Sequence, residues 1–281
     1  MLYGNNSLLC ISQFTFLQIF MEVKIIKTGL EEIQIFRILF LQENNFQFIC
    51  NKCHDYGWAD TYMFLIDGIK VGYGSIWGTN RREDRDTIFE FYITRPFRKL
   101  SDLIFPELRS VSGAIFIESQ SNDLLLSSML YEYAQNIYAE AILFEDHFKT
   151  NISIPGVIFR KRRAEDNMGD DTGEYVLEQN GEVVASGGLM LNYNMPYADI
   201  YMEVKEPFRQ KGLGSLIVQE LKKEAYLMGR VPAARCNIGN QVSKATLLKA
   251  GFKVCGFRLK GDIKRTKAGT TNKSDTSQNN R

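Results

Sequence analysis

The chain has 281 residues, of which 44% are hydrophobic and 24% charged, a composition typical of folded globular proteins and not of disordered or collagen-like ones. Its 34 Lys and Arg against 33 Asp and Glu leave a net charge of +1, so the chain as a whole offers no electrostatic attraction to nucleic acid or to an anionic membrane. Five cysteines, odd in number and unevenly spread, argue against a disulfide scaffold and favour a reducing, cytoplasmic location.

The first 20 residues contain an apolar run, Phe14–Phe20, that has neither the basic region nor the cleavage site of a secretory signal. The run is also too short to span a bilayer, so no membrane partner is expected. We interpret residues 1–20 as a disordered extension. Folded sequence is predicted from Met21, with a strand at Glu22–Ile26 and a helix at Leu30–Leu41.

Cys50, Cys53 and His54 match the pattern of c-type haem attachment and half of a zinc site. Haem attachment requires export to an oxidising compartment, and a zinc site requires two further ligands. The remaining His and Cys residues show no paired spacing. We therefore predict that the protein holds no metal.

The chain contains one internal repeat, in which three pairs of segments match in the same order. The pairs are Asp67–Gly74 with Asn180–Gly187, Tyr92–Arg98 with Glu203–Arg209, and Asn122–Tyr131 with Gly239–Leu248. The repeat predicts two copies of one domain, a first half of residues 21–150 and a second half of residues 151–262, with the linker at Asn151–Gly156.

Each half shows the pattern strand, tight turn, strand, strand, helix, strand, helix, strand, which indicates an α/β fold with a mixed sheet. Asp67-Gly68 and Asn180-Gly181 predict type I′ hairpin turns, because both dipeptides tolerate positive φ. In the second half we predict these elements: strands Val157–Arg160, Glu174–Leu177, Val183–Leu189, Asp199–Val204 and Ala233–Ile238, and helices Leu213–Leu227 and Val242–Ala250, the latter closed by Gly251.

The segment Arg209–Gly214 lies between a predicted strand and the predicted helix Leu213–Leu227. A strand-to-helix turn leaves backbone amides without intrahelical partners and presents the positive end of the helix dipole. Gly212 and Gly214 allow the backbone to approach a bulky anion, and Arg209 and Lys211 add positive charge. The turn therefore predicts a diphosphate-binding site.

Arg209-x-x-Gly212-x-Gly214 after a strand, followed by Asn237, Asn240 and Ser243 and then by a helix that ends in Gly251-Phe252, resembles the acyl-CoA-binding part of the GNAT N-acetyltransferase superfamily. The resemblance extends from Val157 to about Asp262 and, in a degenerate form, from Met21 to about His147. It implies two GNAT-like acyl-CoA N-acyltransferase domains in tandem, with acetyl-CoA as the co-substrate.

The resemblance also implies roles for individual residues of the second half. The pyrophosphate would be held by Arg209, Gln210, Lys211, Gly212, Leu213, Gly214 and Ser215. Asn237, Asn240 and Ser243 would complete the cofactor site, with Asn240 on the pantetheine amides. The Val204 amide would polarise the thioester carbonyl, a contribution of about 2–4 kcal/mol in such sites.

Acyl transfer to an amine needs a base, and Glu203 is the candidate because it lies on the strand beside the presumed carbonyl site. Leu248 stands where many relatives carry the tyrosine that protonates the leaving thiolate, and leucine cannot do this. Tyr201, Tyr193 and Cys236 are the other donors near it in sequence, and unassisted release of the thiolate is the remaining possibility.

In the first half, Ser101 and Leu103 stand where Gly212 and Gly214 stand in the second. Their side chains would obstruct a diphosphate, so we predict that the first half has lost cofactor binding. Only Ala164–Gly173 separates the first two strands of the second half, which is too short for the two helices that wall the acceptor pocket in relatives. The first half, through Leu30–Leu41, or another subunit would then complete that pocket.

The predicted function is transfer of an acetyl group from acetyl-CoA to a primary amine of a small molecule or peptide. The alternative is a sensor or scaffold that binds acetyl-CoA without transferring it. The tail, residues 263–281, is rich in polar and basic residues and is interpreted as disordered; it has no aromatic residues to stack on bases, so no nucleic-acid partner is expected. The sequence leaves the acceptor and the oligomeric state open.

Overall fold

The computed structural model describes residues 21–43, 45, 47, 51–81, 83–166 and 173–264. The predicted extension 1–20, residues 265–281 of the predicted tail, Cys50, and the loop residues Gly169, Asp170 and Asp171 lie outside the described residues.

The first half begins with a strand and a helix that match the sequence prediction closely, and it continues with further strands and helices. Its elements are β1 (Val23–Thr28), α1 (Leu30–Glu43), α2 (Asn51–Asp55), β2 (Ala59–Ile66), β3 (Ile69–Trp77), β4 (Thr87–Ile93), a 3₁₀ helix (Arg95–Leu100), α3 (Ser101–Ser112), β5 (Phe116–Gln120), α4 (Leu124–Tyr133) and β6 (Ala134–Asp146).

Within the described residues, the second half repeats this order with fewer helices. Its elements are β7 (Val157–Lys161), a 3₁₀ turn (Ala164–Asp166), β8 (Tyr175–Gln179), β9 (Glu182–Met190), β10 (Tyr197–Val204), a 3₁₀ turn (Glu206–Phe208), α5 (Leu213–Leu227), β11 (Val231–Asn237), α6 (Gln241–Lys249) and β12 (Phe252–Ile263). The predicted bounds of α5 are confirmed, because its amphipathic spacing marks both ends.

Both predicted hairpin turns are confirmed. Asp67 and Gly68 have φ of 49° and 78°, and Asn180 and Gly181 have φ of 52° and 79°. A type I′ turn requires positive φ at both central residues, which Asn-Gly and Asp-Gly sequences supply. These turns set the register of β2 against β3 and of β8 against β9.

The strands of the described residues form one mixed twelve-stranded sheet in the order β1-β2-β3-β4-β5-β12-β6-β11-β10-β9-β8-β7. The two central strands are exchanged between the halves: β12 of the second half pairs with β5 of the first, and β6 of the first half pairs with β11 of the second. β6 and β12 also pair with each other along most of their length. The predicted mixed α/β fold is confirmed, and each half borrows one strand from the other.

In each half one face of the sheet packs against the helix that follows the diverging strand, α3 or α5, whereas α1 packs on the opposite face of the first half's sheet. In the first half, Ile104, Phe105 and Leu108 of α3 belong to a core with the strands β2–β5. In the second, Leu216, Ile217 and Leu221 of α5 do the same with β8–β11. None of the helices in the described ranges combines the length and the hydropathy needed to cross a lipid bilayer.

Candidate functional site

β10 and β11 run parallel and pair only over their first residues, from Tyr197 opposite Val231 to Asp199 opposite Ala233. Beyond Asp199 the two strands diverge, while β10 stays paired with β9 on its other side as far as Val204. The divergence opens a cavity of about 220 Å³ between the strands and the helices α5 and α6. The second half therefore has an open strand edge beside a helix start.

The backbone of β10 turns polar groups into this opening. The Lys205 amide donates a hydrogen bond to the Val184 carbonyl on β9, at 3.0 Å. Because successive residues of an extended strand direct their amides to opposite sides, the Val204 amide points away from β9 and towards the opening. This is the direction that the oxyanion-binding role predicted for Val204 requires.

The turn before α5 contains positive-φ residues and leads directly into the start of the helix. Gln210 and Gly212 have φ of 65° and 82°, and Gly212 is the N-cap of α5. The first intrahelical hydrogen bond runs from the Leu216 amide to the Gly212 carbonyl, at 3.1 Å. The amides of Leu213, Gly214 and Ser215 precede it, so they are the unsatisfied donors at the positive end of the helix.

Two cations flank this turn. Arg209 is exposed and donates from Nε to the Val204 carbonyl at 3.1 Å, which ties the turn to the end of β10. Lys211 donates from Nζ to the Pro207 carbonyl at 3.2 Å and lies 5.2 Å from the centre of the Phe208 ring. Both charges lie close to the amide-rich turn, as the sequence predicts.

Gly214 and Ser215 also have packing roles between α5 and α6. A Cβ on Gly214 would lie 3.1 Å from the Thr246 Cγ2 atom, so this glycine allows the two helices to approach. The Ser215 hydroxyl donates to the Thr246 carbonyl at 3.1 Å. The side of α5 that carries these residues faces α6, and only their backbone amides remain for an anion.

α6 begins beside the opening with a capped N-terminus. The Asn240 side chain accepts a hydrogen bond from the Ser243 amide at 2.9 Å, and the Asn237 side chain accepts one from the Gly239 amide at 2.9 Å. Capping uses the Oδ1 atom of Asn240 and does not involve its NH₂ group. Ser243 also lines the 220 Å³ cavity.

Tyr201 and Glu203 lie on the face of the sheet opposite α5. Both side chains are exposed, so Glu203 lacks the partial desolvation that we expected of a general base. The Tyr201 ring lies over Gly188, where a Cβ would come within 2.5 Å of the hydroxyl oxygen, and burial raises the pKa of Tyr201. Leu248 is 40% exposed at the surface of α6.

The other two donors proposed near Leu248 are engaged elsewhere. Tyr193 is buried, and its hydroxyl accepts a hydrogen bond from Arg235. The Cys236 thiol is buried and lies 3.9 Å from the Asn240 carbonyl, and burial raises its pKa. Tyr201 is therefore the one of the three that lines the 220 Å³ cavity.

Asp199 is a residue that the sequence reasoning used only as the start of a strand. Its side chain is 2% exposed and lines the 220 Å³ cavity at the point where β10 and β11 separate. Burial raises the pKa of Asp199, the positive charges of Arg235, Lys52 and Arg258 oppose the rise, and the result is about 7. The alternation of a strand, which places residues 199, 201 and 203 on one face, was the signal available in the sequence.

The first half reaches this site through α2. Asn51 donates from Nδ2 to the Tyr193 carbonyl at 3.4 Å, and Lys52 Nζ lies 5.2 Å from the centre of the Tyr193 ring. Cys53 is fully buried in a cluster that includes Tyr193 and Tyr197 of the second half. The cluster fastens the two halves together beside Asp199.

The expected contribution of α1 to this pocket is not met. α1 instead buries Ile33 and Phe40 against Met63, Tyr73 and Tyr92 of the first half's own sheet. The reason is that the exchanged central strands separate the outer strands of the two halves, which leaves α1 far along the sheet order from β10.

Cys53 and His54, two residues of the motif that matched haem attachment and half of a zinc site, contact other groups. Cys53 is packed in the apolar cluster just described, and His54 Nε2 lies 2.9 Å from a carboxylate oxygen of the buried Glu90. Within the described ranges, no group of three or more His, Cys, Asp or Glu side chains is placed to hold a metal ion. Cys50 lies outside those ranges.

Comparison with known proteins agrees with this geometry. Residues 137–252 match the model of the acetyltransferase (GNAT) family. The fold is similar to an acetyltransferase from the GNAT family of Colwellia psychrerythraea, with a TM-score of 0.67 at 15% identity over 86% of this chain and 100% of that one. It is also similar to a tandem GNAT protein from the clavulanic acid biosynthesis pathway, with a TM-score of 0.57 at 10% identity over 88% and 100% of the two chains.

Comparison of the sequence with curated proteins gives no significant match. The structural likenesses, all at low identity, establish the fold, and the family match covers the segment that carries the open strand edge and the glycine turn. The resemblance to the GNAT superfamily is thereby confirmed as a resemblance: residues 137–252 match the model of the acetyltransferase (GNAT) family, and the fold of the chain is similar to GNAT structures, one of them a tandem protein.

Proposed function

We propose that the protein is an N-acetyltransferase that moves an acetyl group from acetyl-CoA to a primary amine. The observation that carries this proposal is the divergence of β10 and β11 directly beside the positive-φ turn before α5. An open strand edge and a helix N-terminus, side by side, match the two polar ends of an acyl-pantetheine diphosphate: amide groups at one end and phosphates at the other.

The residues present fit this co-substrate. The amides of Leu213, Gly214 and Ser215 and the cations Arg209 and Lys211 would hold the diphosphate, and the Asn240 NH₂ group would bind a pantetheine carbonyl. When bound, acetyl-CoA supplies the activated acetyl group. The Val204 amide would stabilise the negative charge that develops on its carbonyl oxygen.

Asp199 is the stronger candidate for the base. A general base should have a pKa near the working pH, and burial brings the pKa of Asp199 to about 7. Its carboxylate lies where the two strands separate, on the face opposite α5. In this proposal Asp199 accepts the proton from the incoming ammonium group, Glu203 assists from the exposed end of the same row, and Tyr201 is the candidate donor to the leaving thiolate.

The first half supports the site without binding a co-substrate of its own, as Ser101 and Leu103 predict. Its contribution is α2, which covers the acceptor side next to Asp199 through the contacts to Tyr193. A cytoplasmic location, where acetyl-CoA is available, belongs to the same proposal.

Two measurements on the unmodified protein test the proposal. Calorimetry should detect binding of acetyl-CoA at one site per chain, and a thiol assay should detect free coenzyme A when an amine panel is added. Binding without thiol release from any amine would support the alternative, a sensor or scaffold. Absence of binding would contradict both functions.

A further inference from the structure

The face of β10 opposite α5 carries the acceptor side of the proposed site. Ile200, Met202 and Val204 belong to the core under α5, whereas Asp199 and Tyr201 point to the other face because strand side chains alternate. An acceptor would therefore approach from the face that Asp199 lines, opposite the helices that flank the co-substrate.

Asp199 presents an unsatisfied acceptor there. Its Oδ1 atom is buried and has no hydrogen-bond partner among the described residues, although the whole side chain is only 2% exposed. Buried carboxylate oxygens are normally paired, because leaving one unpaired is costly. An ammonium group in the 220 Å³ cavity that Asp199 lines would satisfy this atom.

Two cations lie near this carboxylate, and both are close to the ring of Tyr193. Arg235 Nε lies 3.5 Å from the other carboxylate oxygen of Asp199, and the guanidinium carbon lies 5.2 Å from the centre of the Tyr193 ring. Lys52, from α2 of the first half, lies at the same distance from that ring.

The charge around Asp199 is therefore positive. The charges that act on it come from Arg235, Lys52 and Arg258, and the last of these is paired with Glu140 and Glu118. Of the other two, Arg235 is paired with Asp199 itself and donates to the Tyr193 hydroxyl, and Lys52 adds a second positive charge. A polycationic acceptor would be repelled here, whereas an acceptor with its own negative charge beside the amine would be attracted.

Arg235 also connects the Asp199 cavity to a second one. It lines the 220 Å³ cavity and a neighbouring cavity of about 230 Å³, which is bounded by β6, β11 and β12. An acceptor whose amine lies at Asp199 can thus extend past the Arg235 guanidinium. Guanidinium groups bind carboxylates through charge-assisted hydrogen bonds, which suits this position.

Resting on the proposed acetyltransferase function, we propose that the acceptor is a small zwitterionic amine, an amino acid whose ammonium group binds Asp199 and whose carboxylate binds Arg235 and Lys52. The second half supplies two of these groups and the first half the third. In this proposal the first half, which lacks the glycine turn, contributes to the acceptor site through Lys52, which binds the carboxylate.

The test compares amino acids with their carboxamides, which keep the amine and side chain and remove the negative charge. Thiol release from acetyl-CoA is measured with the twenty standard amino acids, their carboxamides and spermidine. We expect at least one amino acid to be acetylated with a kcat/KM at least tenfold above that of its carboxamide, and spermidine to be a poor acceptor.

Lys52→Gln and Arg235→Gln should reduce that ratio towards one by raising KM for the amino acid, while the Kd of acetyl-CoA stays unchanged. Lys24→Gln, an exposed lysine on β1, is the matched control and should keep the ratio. Lys52→Gln is informative even if Arg235→Gln disturbs the packing on Tyr193.

Equal use of amino acid and carboxamide, preference for spermidine, or no turnover of any amino acid by a protein that binds acetyl-CoA would overturn the zwitterion proposal. Failure to bind acetyl-CoA at all would instead overturn the proposed function, so the two failures are distinguishable.

Discussion

Both halves contain an opening between two diverging parallel strands at the same register, but the opening differs in size and lining. β4 and β5 pair only at Thr87 and Ile88 before they diverge, as β10 and β11 do at Asp199. Arg98 donates from Nε to the Ile93 carbonyl at 2.9 Å, which reproduces the bond from Arg209 to Val204 at 3.1 Å. A diverging strand pair with an arginine at its end is therefore a property of the fold and does not by itself make a binding site.

Side chains close the opening of the first half. Its cavity is about 60 Å³ against about 220 Å³ in the second, and Phe40 and Glu43 of α1 line it. Glu43 forms an ion pair with Arg98, whose guanidinium lies 5.7 Å from the centre of the Tyr92 ring. The cation that would meet a phosphate in the second half is neutralised within the first half.

The turn before the helix differs as well. In the first half the 3₁₀ helix Arg95–Leu100 continues directly into α3, and Ser101 has φ of −52°, an ordinary helical value. In the second half, Arg209–Gly212 intervene and include two residues with positive φ. The comparison indicates that a few turn residues and one inserted carboxylate separate an open site from a closed one.

The largest effect on the difference between the two halves is expected from the substitution Gly212→Val. Valine is strained at φ of 82°, and its side chain would cover the amides of the first turn of α5. Because several charge-assisted hydrogen bonds of about 1.5–3 kcal/mol each would be lost, we expect acetyl-CoA to bind about 10³-fold more weakly or not at all. Isothermal titration calorimetry measures the change.

Gly181→Val is the matched control, because Gly181 has φ of 79° in a hairpin turn with open space around it. Both variants should lower the melting temperature, and only the change at Gly212 should affect binding. Ser101→Val in the first half should leave one bound acetyl-CoA per chain. Loss of binding in the Ser101 variant would mean that the first half, and not the second, holds the co-substrate.

Asp199→Asn tests the proton transfer in the open half. The variant keeps the size of the side chain and removes the proposed base, so we expect kcat to fall by about 10²- to 10³-fold while the Kd of acetyl-CoA is unchanged. Since Asp199 must be ionised to accept a proton, wild-type activity should rise with pH and level off above its pKa of about 7.

Glu203→Gln is the comparison variant for this measurement. Its exposed position predicts a loss of only a few-fold. If the glutamine variant shows the larger loss and removes the pH dependence, the base is Glu203 and the sequence-based assignment stands.

The sequence predicted correctly those features of the structure that depend on residues close together in the chain. The bounds of α5 and the positive φ of Asn180-Gly181 follow from local spacing and turn chemistry, and the resemblance located the glycine turn. The exchange of β6 and β12 could not be predicted, because both strands have the same alternation and nothing in it specifies a partner more than one hundred residues away.

The burial of individual side chains was the second feature that could not be predicted from the sequence. Asp199 and Glu203 are carboxylates on one predicted strand, yet one is buried and the other exposed. The difference arises from α2 and from the Tyr193 segment, which cover one end of the strand only. The closure of the first half has the same origin, since it depends on how α1 packs and not on the turn sequence alone.

Glu90 in the first half occupies the strand position that Tyr201 occupies in the second. Ser75 is paired with Glu90 on the neighbouring strand, as Gly188 is paired with Tyr201. Glu90 is fully buried and lies 2.9 Å from His54, 3.0 Å from Ser75 and 3.3 Å from Arg37. Glu90→Gln removes the buried negative charge 3.3 Å from that arginine, so we expect the free energy of unfolding to fall by about 3 kcal/mol.

The effect should depend on pH in a defined direction. Burial alone would raise the pKa of Glu90, but the charges of Arg37 and His54 and the hydrogen bonds lower it to about 2. The stabilisation is therefore present above the ordinary value of 4.5 and is lost as pH falls towards 2. Urea unfolding at pH 7 and pH 3 should show a large and then a small difference from wild type, with exposed Glu107→Gln unchanged at both; a difference independent of pH would contradict the charge pairing.

The smallest expected effect concerns the helix caps that the halves place at the same position. Asp123 caps α4 by accepting from the Leu126 amide at 3.1 Å, and Asn240 caps α6 by accepting from the Ser243 amide at 2.9 Å. Asp123 is buried, and burial raises its pKa to about 7 despite the backbone hydrogen bonds that lower it. The second half uses the neutral side chain.

Asp123→Asn gives the first half the cap of the second. Because the folded pKa of Asp123 lies above its unfolded value, wild type loses stability as pH rises from about 4 to about 7, whereas asparagine caps equally well and cannot ionise. We expect the variant to match wild type at pH 4 and to be the more stable of the two at pH 8. Asn240→Asp, exposed at the same position, should change stability little. A variant at Asp123 that is less stable than wild type at pH 8 would mean that the ionised carboxylate, through the helix dipole, stabilises the first half after all.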